Sequence, residues 1–367
     1  MSAILVTGAS GFIGHHVVRT LLARGKQPRC FVRPTSNVQT LEEWGVELVY
    51  GDINNVSSIF RAARGCEAIF HVAACVSSVN SRDFYVANTE GTKNVLDAAI
   101  ASRMTPPKLV YFSSLAAAGP ARNKVPLTTA SPLHSVSHYG KSKLRAEFLA
   151  RSYADRMPIS IVRPPIVFGE YDHASLALFS MVAKAGLFLL SDPFGKRRYS
   201  IIHASDLAAL ALDILEKGKR LLPATLNDAT PEVTDASGIY FAAAEQDVAY
   251  AQLGRMIGKA FGRKRVRMIP MFKRAPYLVG AVATLWGKLM RRTPYLTWDK
   301  AHEICAGEWI CSPQEAEEEL GFQTAAPLQE RIRQTALWYC EEGWLPFTKE
   351  RLMNLHRANP KLPKQYS

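Results

Sequence analysis

The sequence places a tyrosine and a lysine four positions apart, Tyr139 and Lys143 in the stretch Tyr-Gly-Lys-Ser-Lys. Residues at positions i and i+4 of a helix share a face, so a helix here would make the phenol and the ammonium neighbours. A free tyrosine titrates near ~10 and is a poor proton carrier at neutral pH. An ammonium at about 4 Å stabilises a phenolate by roughly 4 kcal/mol at an effective dielectric near 20, equivalent to a lowering of up to about three pKa units. The pair therefore predicts general acid or base catalysis.

A glycine-rich turn lies near the amino terminus. The apolar run Ile4–Thr7 is typical of a buried parallel strand, and apolar residues at helical spacing begin after His15. Between them, Gly8 and Gly11 would let the backbone turn sharply and approach a pyrophosphate, and Gly14 would let the helix lie close to the strand. The positive end of the helix would face the phosphates. This order of strand, glycine turn and helix predicts a nucleotide-binding site.

The stretch Thr-Gly-Ala-Ser-Gly-Phe-Ile-Gly at residues 7–14 resembles the cofactor motif of the extended short-chain dehydrogenase/reductases, the NAD-dependent epimerase/dehydratase superfamily. The resemblance can be followed from residue 3 to roughly residue 345, and it is strongest with the 3β-hydroxysteroid dehydrogenase and dihydroflavonol reductase branches. It implies that the nucleotide is bound by the residues of this motif, namely Thr7, Gly8, Ser10, Gly11, Phe12, Ile13 and Gly14.

The resemblance also implies a catalytic role for the residues around the Tyr–Lys pair. The predicted strand Lys108–Phe112 runs into two serines, and alignment on the glycine downstream favours Ser114 as the hydroxyl that hydrogen-bonds the reacting oxygen, with Ser113 supporting it. Tyr139 would donate or remove the proton, and Lys143 would both tune the tyrosine and hold the cofactor ribose. The predicted catalytic residues are therefore Ser114, Tyr139 and Lys143.

Further cofactor contacts are implied at the ends of the other predicted strands. Asp52 resembles the acid that contacts the adenine amino group, and Asn88 resembles a helix asparagine that organises the site. Arg33 closes the second strand, where a carboxylate would accept from both ribose hydroxyls and an arginine attracts a 2′-phosphate. Arg33 therefore favours NADP(H) over NAD(H), the alternative being a solvated surface arginine. The remaining implied contacts are Ile53, Ala73, Ala74, Ser113, Tyr139, Lys143, Pro164 and Ile166.

No spacing of histidines and carboxylates in the sequence suggests a metal site, and His71 is interpreted as a packed core histidine. Leu115–Ala117 follow the two serines, where the 4,6-dehydratases of the family need a pair of carboxylic acids. Pro165 and Ile166 stand where epimerases present an asparagine to a diphosphate sugar. An apolar wall cannot compensate a dianion, because burying that charge without partners costs several kcal/mol.

The sequence thus predicts an NAD(P)(H)-dependent enzyme that interconverts a secondary alcohol and a ketone on a lipophilic, sterol-like or acyl-derived substrate. The alternatives are a sugar-nucleotide epimerase of the same family and a non-catalytic, cofactor-binding subunit associated with a membrane. The composition fits a globular enzyme, with 48% hydrophobic and 21% charged residues. The six cysteines are scattered without a Cys-x-x-Cys pair, which indicates reduced thiols.

The net charge of +13 is concentrated in one segment. Between Arg255 and Arg292 there are eleven lysines or arginines and no acidic residue. The uncharged run Ala275–Gly287 within it would span about 20 Å as a helix, too short to cross a bilayer. Apolar residues flanked by cations over 263–292 suit a helix lying in an anionic membrane surface. The alternative is a helix of the substrate lobe that covers the pocket, its cations simply solvated. The pattern does not favour nucleic-acid binding.

Strand–helix alternation through residue 168 predicts an α/β fold, a doubly wound parallel (Rossmann) sheet with a smaller, helix-rich C-terminal substrate lobe. The predicted segments are an NADP(H)-binding domain at 1–168, a lobe segment at 169–198, a return to the sheet at 199–231, the substrate lobe at 232–350, which contains the basic segment 255–292, and a tail at 351–367. We expect a cytoplasmic protein, because the amino terminus lacks the pattern of a signal peptide, with peripheral contact to the inner membrane face as one interpretation of the basic segment. The family resemblance implies a homodimer formed by two helices packed face to face.

Overall fold

A computed structural model describes residues 3–102, 105–190, 192, 194–223, 236–272, 275–290, 292–294 and 296–346. Three cations of the basic segment, Lys273, Arg274 and Arg291, lie outside these residues, as do 224–231 of the predicted return segment and the tail 351–367. The strands are β1 (Ala3–Thr7), β2 (Pro28–Val32), β3 (Glu47–Tyr50), β4 (Cys66–His71), β5 (Lys108–Phe112), β6 (Ile159–Arg163), β7 (Ile166–Phe168), β8 (Leu187–Leu190), β9 (Arg198–Tyr199), β10 (Ile201–His203), β11 (Ile239–Phe241), β12 (Val248–Ala249) and β13 (Arg267–Pro270).

The helices alternate with the strands through the first half of the chain and dominate the second half. They are α1 (Phe12–Ala23), α2 (Gln39–Glu43), α3 (Val56–Ala63), α4 (Ser81–Tyr85), a π-helical turn (Val86–Glu90), α5 (Gly91–Ala101), α6 (Leu115–Ala118), α7 (His138–Arg151), α8 (His173–Ala185), α9 (Ala204–Lys217), α10 (Tyr250–Ala260), α11 (Ala275–Met290), α12 (Trp298–Cys305), α13 (Gln314–Leu320) and α14 (Leu328–Glu341).

Seven of the strands form one sheet in the order β11-β6-β5-β4-β1-β2-β3, and every neighbouring pair is parallel. Its central strands are buried apolar runs, as expected for a parallel sheet covered on both faces. The predicted fold class is therefore confirmed. Because the strands are parallel, the loops that follow β1, β2, β3, β4, β5 and β6 all lie at one edge of the sheet.

Helices cover both faces of this sheet. Helices α1, α9 and α13 pack on one face and α3, α5 and α7 on the other, each layer enclosing its own apolar core. The first core includes Val18, Leu21, Leu210 and Ile214, and the second includes Ile59, Leu96, Ala146 and Ala150. Helix α7, which carries the Tyr–Lys pair, is thus held rigidly beside the carboxyl end of β5.

Two parts of the predicted substrate lobe at 232–350 belong to the sheet domain instead. Strand β11 pairs with β6 at the edge of the central sheet, and α13 packs against both β11 and α9. The prediction was wrong here because β11 is too short to show a strand period and α13 is rich in glutamate, with only Ala316 buried. These two elements return to the sheet because Ala316 and Phe322 complete the core beneath α9.

A third apolar core holds the helix-rich lobe together. Helices α8, α10 and α14 pack around Phe179, Ile257 and Tyr339, and β8 pairs with β13 beside them. Helix α11 packs on α12 at the outside of this lobe. Among the described residues, no helix combines the length and the apolarity needed to cross a membrane.

Candidate active site

The glycine turn after β1 has the backbone geometry that a phosphate cradle requires. Gly8 has a φ of +72°, and a Cβ at this position would lie 2.7 Å from the backbone nitrogen of Ala73. A Cβ at Gly14 would lie 2.1 Å from the carbonyl oxygen of Gly8, so a side chain there would push α1 away from the strand. Gly11 caps α1 without a side-chain hydrogen bond, and the first turn has no acidic residue. The first-turn amides and the positive helix end are therefore suited to the pyrophosphate of a dinucleotide.

The other predicted cofactor positions lie at the carboxyl end of the strands, as the glycine turn does. Arg33 and Asp52 are exposed in the loops after β2 and β3, and Ala74 lies in the loop after β4. Ile53 packs towards Gly91, where an added Cβ would lie 3.1 Å from its side chain. The other positions are Thr7 at the end of β1, Ser10 in the turn, Phe12 and Ile13 in the first turn of α1, Pro164 after β6 and Ile166 at the start of β7.

A buried chain of hydrogen bonds connects the glycine turn to the helix that follows β4. Thr7 Oγ1 lies 2.8 Å from His71 Nδ1, and His71 Nε2 lies 2.9 Å from Thr92 Oγ1, which donates to the carbonyl of Asn88 at 2.6 Å. Burial, together with the charge of Lys143, lowers the pKa of His71 to about 3. His71 is therefore a neutral, fully buried linker, and its interpretation as a core histidine is confirmed.

Asn88 lies in the π-helical turn, a local irregularity often found at functional sites. Its Oδ1 accepts from the backbone nitrogen of Cys75 at 2.7 Å, and its Nδ2 donates to the Cys75 carbonyl at 3.0 Å and to Ser142 Oγ at 2.9 Å. The Ser142 hydroxyl donates in turn to the carbonyl of Tyr139 at 2.7 Å. Asn88 thus fixes the loop after β4 relative to the Tyr–Lys helix.

The structure brings Tyr139 and Ser114 together. Helix α7 begins after Ser137, whose hydroxyl accepts from the Gly140 nitrogen, and the Ser114 side chain lies close enough to the Tyr139 phenol to act on its pKa. Ser114 also caps α6 by accepting from Ala116 at 3.1 Å. Burial raises the pKa of Tyr139 to about 12, against the opposing effect of the nearby Ser114 hydroxyl. The phenol is therefore protonated at neutral pH and positioned as a proton donor.

Lys143 is 2% exposed, and its ammonium donates to the carbonyl of Phe112 at 2.6 Å. It also lies 4.7 Å from the centre of the Tyr111 ring. Burial lowers the pKa of Lys143 to about 7, an effect that Glu147 opposes. The Tyr139 pKa was expected to fall and it rises instead, because desolvation of the phenol dominates, while the Lys143 ammonium is held by the Phe112 carbonyl at the strand end.

The low pKa of Lys143 predicts a pH-dependent contribution to stability. The lysine titrates at about 7 in the folded chain and near ~10.4 in an unfolded chain, so the unfolded state binds more protons between these values. Its contribution to the free energy of unfolding therefore rises with pH over this range, by up to about 1.4 kcal/mol per pH unit. In urea titrations, the unfolding free energy of wild type minus that of Lys143→Met should increase by roughly 2 kcal/mol between about pH 7.5 and about pH 9.5.

Lys141 supplies the matched control, since it lies on the same helix with its side chain exposed. The corresponding difference for Lys141→Met should stay nearly constant over the same pH range. An equally flat difference for Lys143→Met would show that the ammonium is not desolvated in the folded chain.

The Ser113 side chain is buried in the core. Its hydroxyl donates to Glu147, which is also bound by Arg163 through Nε at 3.0 Å and Nη2 at 2.6 Å. Both charged side chains are almost fully buried. The Ser113 hydroxyl is therefore used to position the strand end, and the cofactor contact of Ser113 stays a prediction. Glu147 follows Tyr139 and Lys143 at the same four-residue spacing, and that signal was present in the sequence.

Helix α12 of the lobe also positions the Tyr–Lys helix. Asp299 accepts from the backbone nitrogens of His138 at 2.7 Å and Tyr139 at 3.1 Å, and Glu303 accepts from the hydroxyl of Ser137 at 2.7 Å. Carboxylates stabilise the amino end of a helix through its dipole. The lobe thus holds the first turn of α7, a contact that no local sequence pattern reveals.

Comparison with known proteins identifies the family. The model of the NAD dependent epimerase/dehydratase family matches residues 4–227, and the chain belongs to this family. A ceramide reductase of Caulobacter vibrioides is 28% identical over 94% of this chain and 96% of its own length. A 2-alkyl-3-oxoalkanoate reductase of Stenotrophomonas maltophilia is 29% identical over 90% of this chain and 97% of its own length. The predicted enzyme class, an NAD(P)-dependent oxidoreductase, is confirmed.

Solved structures share the fold. The crystal structure of gox2253 superposes with a TM-score of 0.73 at 25% identity, covering 94% of this chain and 100% of its own. The dTDP-glucose 4,6-dehydratase DesIV from Streptomyces venezuelae, solved with NAD and TYD bound, has a TM-score of 0.70 at 22% identity. The match covers 94% of this chain and 98% of the DesIV chain. Among the described residues, no group of three or more histidine, cysteine or acidic side chains is arranged to hold a metal ion.

Proposed function

We propose that this NAD(P)-dependent oxidoreductase reduces a ketone on a lipophilic, sterol-like or acyl-derived molecule to a secondary alcohol, with Ser114, Tyr139 and Lys143 as the catalytic residues. The observation that carries the proposal is the proximity of Ser114 to the Tyr139 phenol, with Lys143 one helical turn further along α7. Ser114 follows β5, and Lys143 of α7 bonds the end of β5, so these groups lie at the carboxyl end of the sheet, as the glycine turn after β1 does.

Each residue has a defined part in such a reduction. A bound nicotinamide supplies the hydride that adds to the carbonyl carbon. Ser114 donates a hydrogen bond to the carbonyl oxygen and polarises it, and Tyr139 Oη gives its proton to that oxygen as negative charge develops. The Lys143 ammonium stabilises the phenolate that remains, because the two groups lie on one helix face. The raised pKa of Tyr139, about 12, keeps the phenol protonated before the reaction.

The surroundings of Tyr139 support an apolar substrate. The Phe84 ring packs edge-on against the Tyr139 ring, with 6.2 Å between the centres. Val76 and Ile166 are exposed side chains near the same edge. The α6 residues Leu115–Ala118 are all buried and apolar, where a dehydratase needs acids. The reductases named above act on ceramide and on 2-alkyl-3-oxoalkanoates, both of which carry alkyl chains.

The substrate proposal is tested by following nicotinamide oxidation. Purified protein is mixed with NADPH and either a long-chain 3-oxo compound or a sterol ketone, and the comparison is UDP-glucose, whose conversion is followed by chromatography because epimerisation consumes no nicotinamide. Turnover of a lipophilic ketone supports the proposal. Nucleotide-sugar conversion without turnover of any lipophilic ketone would replace it with epimerase chemistry.

We further propose that Arg33 gives a preference for NADP(H). Charge-assisted hydrogen bonds contribute about 1.5–3 kcal/mol, so Arg33→Asp should shift the ratio of kcat/KM for NADPH over NADH by roughly 10- to 100-fold towards NADH. The control is Arg24→Asp, because Arg24 is exposed at the carboxyl end of α1, away from the glycine turn. An unchanged ratio in Arg33→Asp would remove Arg33 as the discriminating residue.

A further inference from the structure

Helix α11 leaves one apolar face uncovered. Its opposite face packs inward, since a Cβ at Gly280 would lie 3.0 Å from Ala301 on α12, and a Cβ at Gly287 would lie 3.0 Å from Val79. The uncovered side chains are each more than half exposed, and they are spaced so that they share one side of the helix. They are Leu278, Val279, Val282, Leu285, Trp286 and Leu289. Such a continuous apolar surface marks an interaction site.

The charge of the segment that contains α11 indicates what covers this face. The sequence has no acidic residue between Arg255 and Arg292, and the described cations of this segment include exposed ones before, within and after α11. They are Lys264, Arg265, Arg267, Lys288 and Arg292. Arg263 differs from them, because it donates to the carbonyls of Ala183 and Lys184 and closes the end of α8.

We propose that α11 lies in the surface of an anionic lipid bilayer, with its uncovered apolar face among the acyl chains and the exposed cations of its segment at the headgroups. An amphipathic helix with Trp and Leu on one face and flanking cations binds membranes in this way. A second copy of this chain fits less well, because a two-fold interface would bring the same cations of both copies together. The helix is about 24 Å long, so it lies along the surface.

Helix α11 lies beside the site where the lipophilic substrate is expected, through the face opposite its uncovered side chains. Val79, which would lie 3.0 Å from a Cβ added at Gly287 of α11, belongs to the loop that Asn88 holds through Cys75. Helix α12, on which α11 packs, caps the Tyr139 helix through Asp299. This placement would let the substrate pass from the bilayer into the site without crossing water. That step rests on the proposed function, whereas the docking itself does not.

Vesicle sedimentation tests the docking. Wild-type protein should pellet with vesicles of mixed phosphatidylglycerol and phosphatidylcholine, and less with phosphatidylcholine alone. Leu285→Asp/Leu289→Asp should lower the partition coefficient at least tenfold. Lys264→Ser/Arg265→Ser/Arg267→Ser should also lower the partition coefficient on anionic vesicles at least tenfold, since each cation near the surface raises this coefficient about fivefold. The matched pair is Val282→Asp, which should weaken binding, and Val125→Asp, which should not; their valines are 62% and 63% exposed.

Three outcomes would overturn the docking proposal. These are no wild-type binding to anionic vesicles, unchanged binding by Leu285→Asp/Leu289→Asp, and a wild-type dimer in solution that this double variant dissociates. Activity on a short, water-soluble ketone without vesicles is measured separately. Vesicle binding without any ketone turnover would support the docking proposal and contradict the proposed function. Ketone turnover without vesicle binding would support the proposed function and contradict the docking proposal.

Discussion

Tyr139→Phe should lower kcat for ketone reduction by about 10²–10⁴-fold while leaving the Kd for NADPH within about threefold of wild type. The phenylalanine keeps the ring that packs against Phe84 and removes only the hydroxyl beside Ser114. Without that hydroxyl, the developing alkoxide has no proton donor, and Ser114 can only stabilise the charge. The measurement is steady-state turnover of a lipophilic ketone together with a fluorescence titration of NADPH.

Tyr85→Phe is the control for this substitution, because Tyr85 bonds the His138 ring near the surface of the same region and has no part in the proposed chemistry. It should retain nearly full turnover. If Tyr139→Phe retained more than about a tenth of wild-type kcat, proton donation by this phenol would be excluded. If Tyr139→Phe instead bound NADPH much more weakly than wild type, the main role of Tyr139 would be cofactor binding.

The nucleotide half of the site could be predicted from the sequence because local patterns encode it. The run Ile4–Thr7 and the glycine turn lie within fourteen residues, and β1 and α1 form where these patterns predict them. The Tyr–Lys spacing likewise lies on one helix, α7. Both signals are short-range, so each can be found without knowing which distant segments meet.

The remaining contacts depend on segments distant in sequence. Asp299 caps α7 from 160 residues further along the chain, and nothing near Tyr139 signals that acid. The pKa of Tyr139 was expected to fall because its helix neighbour is known from spacing, whereas the burial that raises it depends on packing from other elements. The segment that contains β11 was assigned to the substrate lobe for the same reason, because a three-residue strand is recognised only by its pairing with β6.

Breaking the buried pair behind the site should have the largest effect on stability. Arg163 and Glu147 are 1% and 4% exposed, and Arg163 bonds both carboxylate oxygens. Arg163→Met leaves the Glu147 carboxylate buried with the Ser113 hydroxyl as its remaining hydrogen-bond donor, and removing one partner of such a pair costs about 3–5 kcal/mol. Urea titration should show this loss as a lower midpoint with an unchanged slope.

The double variant Glu147→Met/Arg163→Met separates the charge effect from the packing effect. It removes both charges and keeps similar volumes, so it should recover most of the stability that Arg163→Met loses. Equal losses in the single and double variants would show that packing, and not the unpaired carboxylate, causes the effect. Because Glu147 raises the pKa of Lys143, the double variant should also leave a smaller fraction of Lys143 protonated at neutral pH. Its kcat should therefore stay below wild type even where its stability is restored, since a neutral lysine cannot stabilise the Tyr139 phenolate.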